Sequence, residues 1–266
     1  MNILTHTISG LAVGALVASF SKMNLSDRLK IVFVSGFAGV LPDIDSISLW
    51  SHFDATIGKF FHLTHSGKEI YSAKYWYSHH AFFHSLFAAV LLAIAAGILN
   101  YWLTGDFKRY TFIAFFKKNK LFFTGFVLGY LMHLVEDMPT PASTWGGVNL
   151  FWPFKTYIGG AGKIWWWNNY DIFLIAGGTF LLLFSLLIIS KFIDFNILKI
   201  SLTIFVLGFV WVLVQINTRK FDFSYTGHAK HYGAYEKKSK ELQKEILGDR
   251  LYRLMQAFDN KLKVNF

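Results

Sequence analysis

This chain of 266 residues is too apolar for an ordinary soluble domain, because 54% of its residues are hydrophobic and 16% are charged, against about 25% charged in typical domains. It contains no cysteine, which excludes disulfides and thiolate metal sites and leaves histidine and carboxylate as the metal ligands available. The net charge of +10 is concentrated at residues 104–120 and 217–266, beside apolar segments, a pattern typical of membrane-surface contact. No nucleic-acid recognition motif accompanies this charge, so no specific nucleic-acid partner is expected.

Six apolar runs predict an all-α fold, a multi-helix membrane bundle. Three of them are close to the ~20 residues that cross a hydrocarbon core, namely 83–103, 172–190 and 197–216. Three shorter runs, 7–20, 31–42 and 121–135, fit either short spans or buried helices. If all six cross, four helix ends carrying histidine or aspartate arrive on the same side of the membrane. That coincidence predicts a site at this level.

The first of these ends carries His6, in "THTISG". A lone histidine is more often a satisfied core residue, and only the other three ends make it a candidate ligand. The second end is "LPDIDS", where Asp43 and Asp45 alternate across an extended turn. One of these acids would bind a metal while the other bridges or orients. The alternative is a plain Pro-Asp turn.

The third end is "SHHAFFHS", with three histidines in six residues. His80 and His84 are four apart, as in zinc proteases, but an alanine replaces the glutamate that such proteases require. His79 is expected to project from the turn that starts the helix. The alternative is an aromatic-rich turn with incidental histidines. His52, His62 and His65, in the preceding loop, are less favoured as ligands.

The fourth end is "HLVED", which places His133 and Asp137 on one face of a helix. Imidazole nitrogen and carboxylate oxygen are standard ligands of zinc and similar ions. The alternative is a His–Asp hydrogen bond at a helix end. An ionisable pair within an apolar segment is costly, however, and therefore indicates a functional site.

Taken together, these stretches resemble a known family. "THTISG", "LPDIDS", "HHAFFHS" and "GYLMHLVEDMPT" with the following "WPF" resemble, in order, the motifs of the YdjM-type (LexA-regulated) inner-membrane family of metal-dependent hydrolases. That family is distantly similar to zinc-dependent phospholipase C, which implies a phospholipase C-like helical metal-binding core. The motifs lie between residues 5 and 154. His80 stands where the family usually has arginine, and Phe83 where threonine is common, which leaves the substrate class open.

The resemblance and the spacing together define a set of candidate residues. The expected metal ligands are His6, Asp43, Asp45, His79, His84, His133 and Asp137, and the expected catalytic residues are Asp45, Glu136 and His80. Seven ligands exceed the three or four of a single zinc, so we expect two divalent ions, zinc first, with manganese or iron as alternatives. Such ions would activate a water that hydrolyses a phosphoester or lipid-like substrate. The alternative is a non-catalytic membrane protein that binds or transports a metal, with ligands near the bilayer midplane.

The expected organisation has three parts: a metal-binding hydrolase core at 1–170, two transmembrane helices at 171–216 and a basic tail at 217–266. Apolar residues recur in the tail at helical spacing, which predicts an amphipathic C-terminal helix. That helix would lie on the membrane, on the protein body or on a second copy of the chain. The expected partners are membrane lipids, a small-molecule or lipid substrate, and a second copy through this helix. The expected location is the bacterial inner membrane, crossed several times.

Overall fold

The computed structural model describes residues 2–193, 195–227 and 232–262, and this part of the chain is helical without a β-strand. The all-α prediction is confirmed. The α-helices are α1 (Ile3–Ala18), α2 (Leu25–Ala38), α3 (Gly67–Ser72), α4 (Leu86–Leu103), α5 (Phe112–Lys118), α6 (Lys120–Asp137), α7 (Tyr170–Ile189), α8 (Ile197–Asn217) and α9 (Tyr232–Leu262). A 3-10 helix, Leu41–Leu49, follows α2, and a second one, Phe82–His84, precedes α4.

Helices α1, α2, α6 and α7 form the centre of the bundle. Small residues let three of them approach closely. A Cβ on Gly10 of α1 would lie 2.7 Å from the carbonyl oxygen of Ser35 in α2, and a Cβ on Gly129 of α6 would lie 2.3 Å from the same oxygen. Close backbone packing through small residues is common between membrane helices. As a result, the start of α1, the end of α2 and the end of α6 meet at one end of the bundle.

Four helical segments in the described ranges are long and apolar enough to cross a membrane: Leu25–Leu49, α4, α7 and α8. Of the six apolar runs, four therefore correspond to helices that could cross a membrane, judged by length and composition. The other two runs lie in α1 and α6. Helix α1 is apolar but has only 16 residues, and α6 is not among the four candidate spans. Both lie in the packed centre, where half or more of their residues are buried, in keeping with the alternative that the short runs are buried helices.

Local structure differs from the sequence expectation at two of the four helix ends. Residues 41–49 form a 3-10 helix with Pro42 in its first turn, not an extended turn. The histidine stretch precedes α4 rather than opening it. Ser85 caps α4 by accepting a hydrogen bond from the Ala88 amide at 3.1 Å, and His80 has a positive φ of 62°. The helical spacing expected for His80 and His84 is therefore wrong, because the serine cap starts the helix after them.

The C-terminal helix α9 packs on the protein body in this structure. Its Leu242 joins Trp165 and Phe223 in an apolar cluster, and its Tyr252 contacts Tyr170 at the start of α7. The predicted single amphipathic helix is interrupted at Gly248, whose φ of 72° breaks the helical path. Residues 228–231 and 263–266 of the predicted tail lie outside the described residues.

Candidate metal centre

Three separate elements bring histidine and aspartate side chains together at the end of the bundle. Asp43 of the first 3-10 helix, His84 before α4, and His133 and Asp137 of α6 offer ligand atoms that all lie within 4.8 Å of one another. We call these four residues the central group. Spacing on α6 supplies only one of its contacts, and the other contacts come from the packing of α1, α2 and α6. Three members are buried, and Asp43 has 18% of its side chain exposed.

The distances within the central group run between imidazole Nε2 atoms and carboxylate oxygens. His133 Nε2 lies 3.1 Å from Asp137 Oδ2 and 3.6 Å from Asp43 Oδ1. His84 Nε2 lies 3.5 Å and 3.8 Å from the same two oxygens. Two imidazoles and two carboxylates this close together offer four ligand atoms of the kinds that bind zinc.

A second group consists of His79, His80 and His84, whose ligand nitrogens also lie within 4.8 Å of one another. We call it the histidine group. It shares His84 with the central group, and His80 Nε2 lies 3.9 Å from Asp137 Oδ2, so the two groups are contiguous. The ring of Trp145 lies against it, with centroids 4.9 Å from His79 and 4.6 Å from His80.

An outer layer of oxygens holds the Nδ1 atoms of these histidines. His133 Nδ1 lies 2.7 Å from the Gly39 carbonyl, and His80 Nδ1 lies 3.0 Å from the Gly147 carbonyl. Both are hydrogen bonds in which the ring nitrogen donates, because a carbonyl can only accept. The hydrogen bond therefore places the proton on Nδ1 in both rings, and the lone pair on Nε2 is available to bind a metal. Histidines at known metal sites are oriented in the same way by outer hydrogen-bond partners.

Two carboxylates belong to the same outer layer. Asp45 Oδ1 lies 2.7 Å from His79 Nδ1, and its Oδ2 lies 3.4 Å from His84 Nδ1. Glu136 Oε2 lies 2.7 Å from Nδ1 of His6, the α1 histidine, and His6 Nε2 lies 3.4 Å from Asp137 Oδ1. Asp45 and Glu136 thus stand behind the histidines rather than in the central group.

The chemistry of these atoms fits a bound cation. Nε2 of His6, His84 and His133 is buried and has no hydrogen-bond partner among the described residues. A buried polar atom without a partner costs free energy, which a metal bond to the nitrogen lone pair removes. The central group therefore supports a metal site, and the number and identity of the ions are a matter for proposal.

Charge and burial shift the protonation of groups at this site. Burial lowers the pKa of His80 well below its ordinary value, with the charges of His79 and His84 acting in the same direction. Burial also opposes protonation of His84, but Asp45 and Asp137 outweigh it and raise the pKa of His84 to about 10. The negative potential that holds a proton on His84 is the potential that attracts a divalent cation.

A cavity of about 1310 Å³ lies against the centre. Asp43, Asp137, His79 and His80 line it, whereas Asp45 and Glu136 do not. The opposite wall includes Tyr232, Glu236 and Lys240 of α9, together with Trp166, Lys68 and several hydroxyl and amide side chains. The tail that the sequence sets apart from the core therefore contributes to the same cavity.

The predicted site residues fall into three sets. Asp43, His84, His133 and Asp137 form the central group, and His79 and His80 form the adjoining histidine group. His6 and Asp45 contact these residues from behind, and Glu136 contacts His6. The less favoured His52, His62 and His65 belong to neither group, and His65 pairs with Tyr75 instead, at 3.1 Å. The catalytic roles assigned to Asp45, Glu136 and His80 stay predictions.

Sequence reasoning missed the backbone partners of the site. Nothing in the sequence marks the carbonyls of Gly39 and Gly147 as histidine acceptors, because every residue carries a carbonyl. Tyr71 was missed as well, although its ring stacks on His79 with centroids 4.5 Å apart. Burial and the nearby Asp43 raise the pKa of Tyr71, which keeps its phenol neutral beside the site.

The four apolar segments and the buried histidine–aspartate centre define an integral membrane protein with a candidate metal site. The chain belongs to the YdjM inner membrane protein family, whose model matches residues 1–219. The match extends past the motifs at 5–154 to include α7 and α8, and it confirms the predicted resemblance and the inner-membrane location. No curated protein and no solved structure matches the chain. The phospholipase C-like arrangement of the core therefore stays a prediction.

Proposed function

We propose that this protein is a membrane-embedded, metal-dependent hydrolase of phosphoester or lipid-like substrates. The observation that carries the proposal is that the buried Nε2 atoms of His84 and His133 have no hydrogen-bond partner among the described residues and lie 3.1–3.8 Å from two carboxylates beside a large cavity. Most buried polar atoms in proteins have a hydrogen-bond partner, so two imidazole nitrogens without one beside the same two carboxylates need an explanation, which a bound cation supplies. Contact with a cavity also gives the centre room for a substrate, which favours an enzyme over a metal carrier.

We propose that the site holds two divalent ions and that both are zinc. The central group would hold the first, and His79 and His80 would hold the second, next to Asp137 and the shared His84. Zinc supplies Lewis acidity and lowers the pKa of a bound water toward ~7. Asp45, Glu136 and the two backbone carbonyls keep the Nε2 lone pairs directed inward.

The protein's own groups have distinct roles in this proposal. Asp43 has the most exposed side chain of the central group and lines the cavity, so it is placed to accept a proton from the attacking water. Asp45 and Glu136 are positioning residues, because each acts through a histidine. Lys68 and Lys240 line the cavity and would attract an anionic substrate.

The test is to measure metal content and hydrolysis of phosphodiesters and phospholipids by the purified full-length protein. We expect two equivalents of zinc in the wild type, and loss of metal and activity in His133→Ala and Asp137→Ala. His65→Ala, which removes a histidine outside both groups, is the matched control and should retain both. Unchanged metal content in both central-group variants would reject the site.

A second measurement tests the role of His80. His80→Ala should lose one equivalent of metal if His80 is a ligand, and none if it acts only in proton transfer.

The activity of the wild type separates the enzyme from the metal carrier. Full metal content with no hydrolysis of any phosphoester in the wild type would overturn the hydrolase and favour a non-catalytic metal-binding protein.

A further inference from the structure

The 3-10 helix Leu41–Leu49 has two faces of opposite character. Its buried residues include Pro42 and Asp45, on the side of the metal centre. Ile44 and Ile47 are 50% and 48% exposed. A 3-10 helix has three residues per turn, so positions i and i+3 lie on one edge. The helix that carries the site acids therefore presents an apolar edge to its surroundings.

This apolar edge continues a membrane-facing row. Phe33 and Phe37 of α2 are four residues apart on one helix face, and each is 60% exposed. They lie in the same candidate span, Leu25–Leu49, that ends with Ile44 and Ile47. Exposed apolar side chains thus run along this segment from α2 into the 3-10 helix that holds Asp43 and Asp45.

The loop that follows the 3-10 helix also carries exposed aromatic side chains. Trp50 is half exposed, and Phe60 and Phe61 are 77% and 64% exposed. The rings of Phe60 and Phe61 pack edge to face with centroids 4.9 Å apart, so they form one aromatic unit. Lys59 precedes this unit directly. Tryptophan, phenylalanine and lysine in this combination are typical of segments that lie in a membrane interface.

We propose that the interfacial surface, made of Ile44, Ile47, Trp50, Phe60 and Phe61, inserts into the headgroup region of the membrane that the protein spans. The bilayer is the occupant because Ile44 and Ile47 belong to a candidate span, Leu25–Leu49, and Trp50 follows its last residue directly. Large exposed apolar patches are rare on soluble surfaces and mark an interaction. A single short helix then separates the bilayer interface from the metal centre.

The depth of the centre has a consequence for its substrate. Because Asp43 of this interfacial helix lines the cavity, a phosphate at headgroup level can reach the centre by lateral movement within the leaflet. The substrate class is thus a membrane lipid, attacked at its phosphorylated headgroup. This second step rests on the proposed hydrolase function, whereas the insertion does not.

Insertion is tested by labelling depth in the full-length protein, which contains no native cysteine to interfere. A nitroxide on Phe60→Cys is compared with one on Glu241→Cys, an exposed position of α9, in lipid vesicles. We expect dissolved oxygen to relax the Phe60→Cys label more than a water-soluble nickel chelate does, with the reverse order at Glu241→Cys. Equal nickel accessibility at both positions would overturn the insertion. The insertion would also be overturned if the Phe60→Cys label were shielded from both reagents and the unlabelled variant formed a disulfide between two copies. That result would show that a second copy of the chain covers this surface.

Substrate class is tested with the double variant Phe60→Ser, Phe61→Ser. We expect the ratio of vesicle phospholipid hydrolysis to soluble phosphodiester hydrolysis to fall about tenfold or more, because two interfacial aromatic anchors are lost. Metal content equal to that of the wild type shows that the variant folds. An unchanged ratio would overturn the lipid assignment and leave the hydrolase standing. A wild type inactive on both substrates would reject the hydrolase, and the depth measurement would still decide the insertion.

Discussion

The protein contains two buried polar clusters, and they are built differently. At the metal centre, the Nε2 atoms of His6, His84 and His133 have no hydrogen-bond partner in the described part of the chain. In the second cluster, the carboxylate of Asp171 at the start of α7 receives its bonds from the protein itself. Arg219 Nη2 lies 2.9 and 3.0 Å from its two oxygens.

Gln243 of α9 completes the second cluster. It donates to Asp171 Oδ1 at 2.9 Å and accepts from the Asp171 amide at 3.1 Å. The cluster therefore ties α7, the end of α8 and α9 together with internal partners for its acid. The difference teaches that burial of charge is not by itself a sign of a site. The second cluster also has buried atoms without a hydrogen-bond partner in the described part of the chain, Arg219 Nε and Nη1, but these are N–H donors. The atoms left over at the candidate metal centre are imidazole nitrogens beside carboxylate oxygens, a combination that can bind a cation.

The largest expected effect is on His84→Ala, because His84 belongs to both the central and the histidine groups. We expect this variant to lose bound zinc entirely, together with hydrolysis. Metal analysis of the purified protein checks it. Retention of both zinc equivalents would show that the ions lie elsewhere.

Asp171→Ala should break the structural cluster and leave the metal centre intact. Removing one partner of a buried ion pair costs about 3–5 kcal/mol, since it leaves an uncompensated charge. Denaturant unfolding of the solubilised protein would measure the loss. Metal content should match the wild type, and a coupled loss of zinc would contradict the separation of the two clusters.

Asp45→Asn keeps the size of the side chain but removes the charge that orients His79 and His84. Outer partners of this kind typically contribute about 10–100-fold to metal affinity. We expect a weakening in that range, measured by competition with a chelator. Glu136→Gln is the matched comparison and should lose less, because among the described histidines Glu136 contacts His6, which lies outside the central group. The opposite order would contradict the orienting role of Asp45.

Lys240→Met should have the smallest effect on stability. Lys240 pairs with Glu236 at 2.9 Å, but its side chain is 44% exposed, and exposed ion pairs contribute about 0–1 kcal/mol. We expect a thermal midpoint close to that of the wild type. A loss comparable to that of Asp171→Ala would show that the surface pair, rather than the buried cluster, holds α9.

Much of the metal centre could be predicted from local patterns. The spacing of His133 and Asp137 on α6 predicts a shared face, and His133 Nε2 lies 3.1 Å from Asp137 Oδ2. The roles of Asp43 and Asp45 could not be predicted in the same way. Whether an acid faces the centre or supports a histidine depends on the 3-10 path of the chain after Pro42. The sequence pattern predicted an extended turn here, which was wrong.

The apolar periodicity and the histidine–aspartate motifs were enough to determine that this is an all-helical inner-membrane protein with a candidate metal site. Those features are local, because helix formation and the cost of burying charge depend on short stretches of chain. Tertiary structure alone decided which nitrogens remain without partners, that the Gly39 and Gly147 carbonyls orient two of the imidazoles, and that α9 lines the cavity. These features arise from contacts between segments far apart in the chain, and such contacts follow from how closely the helices pack.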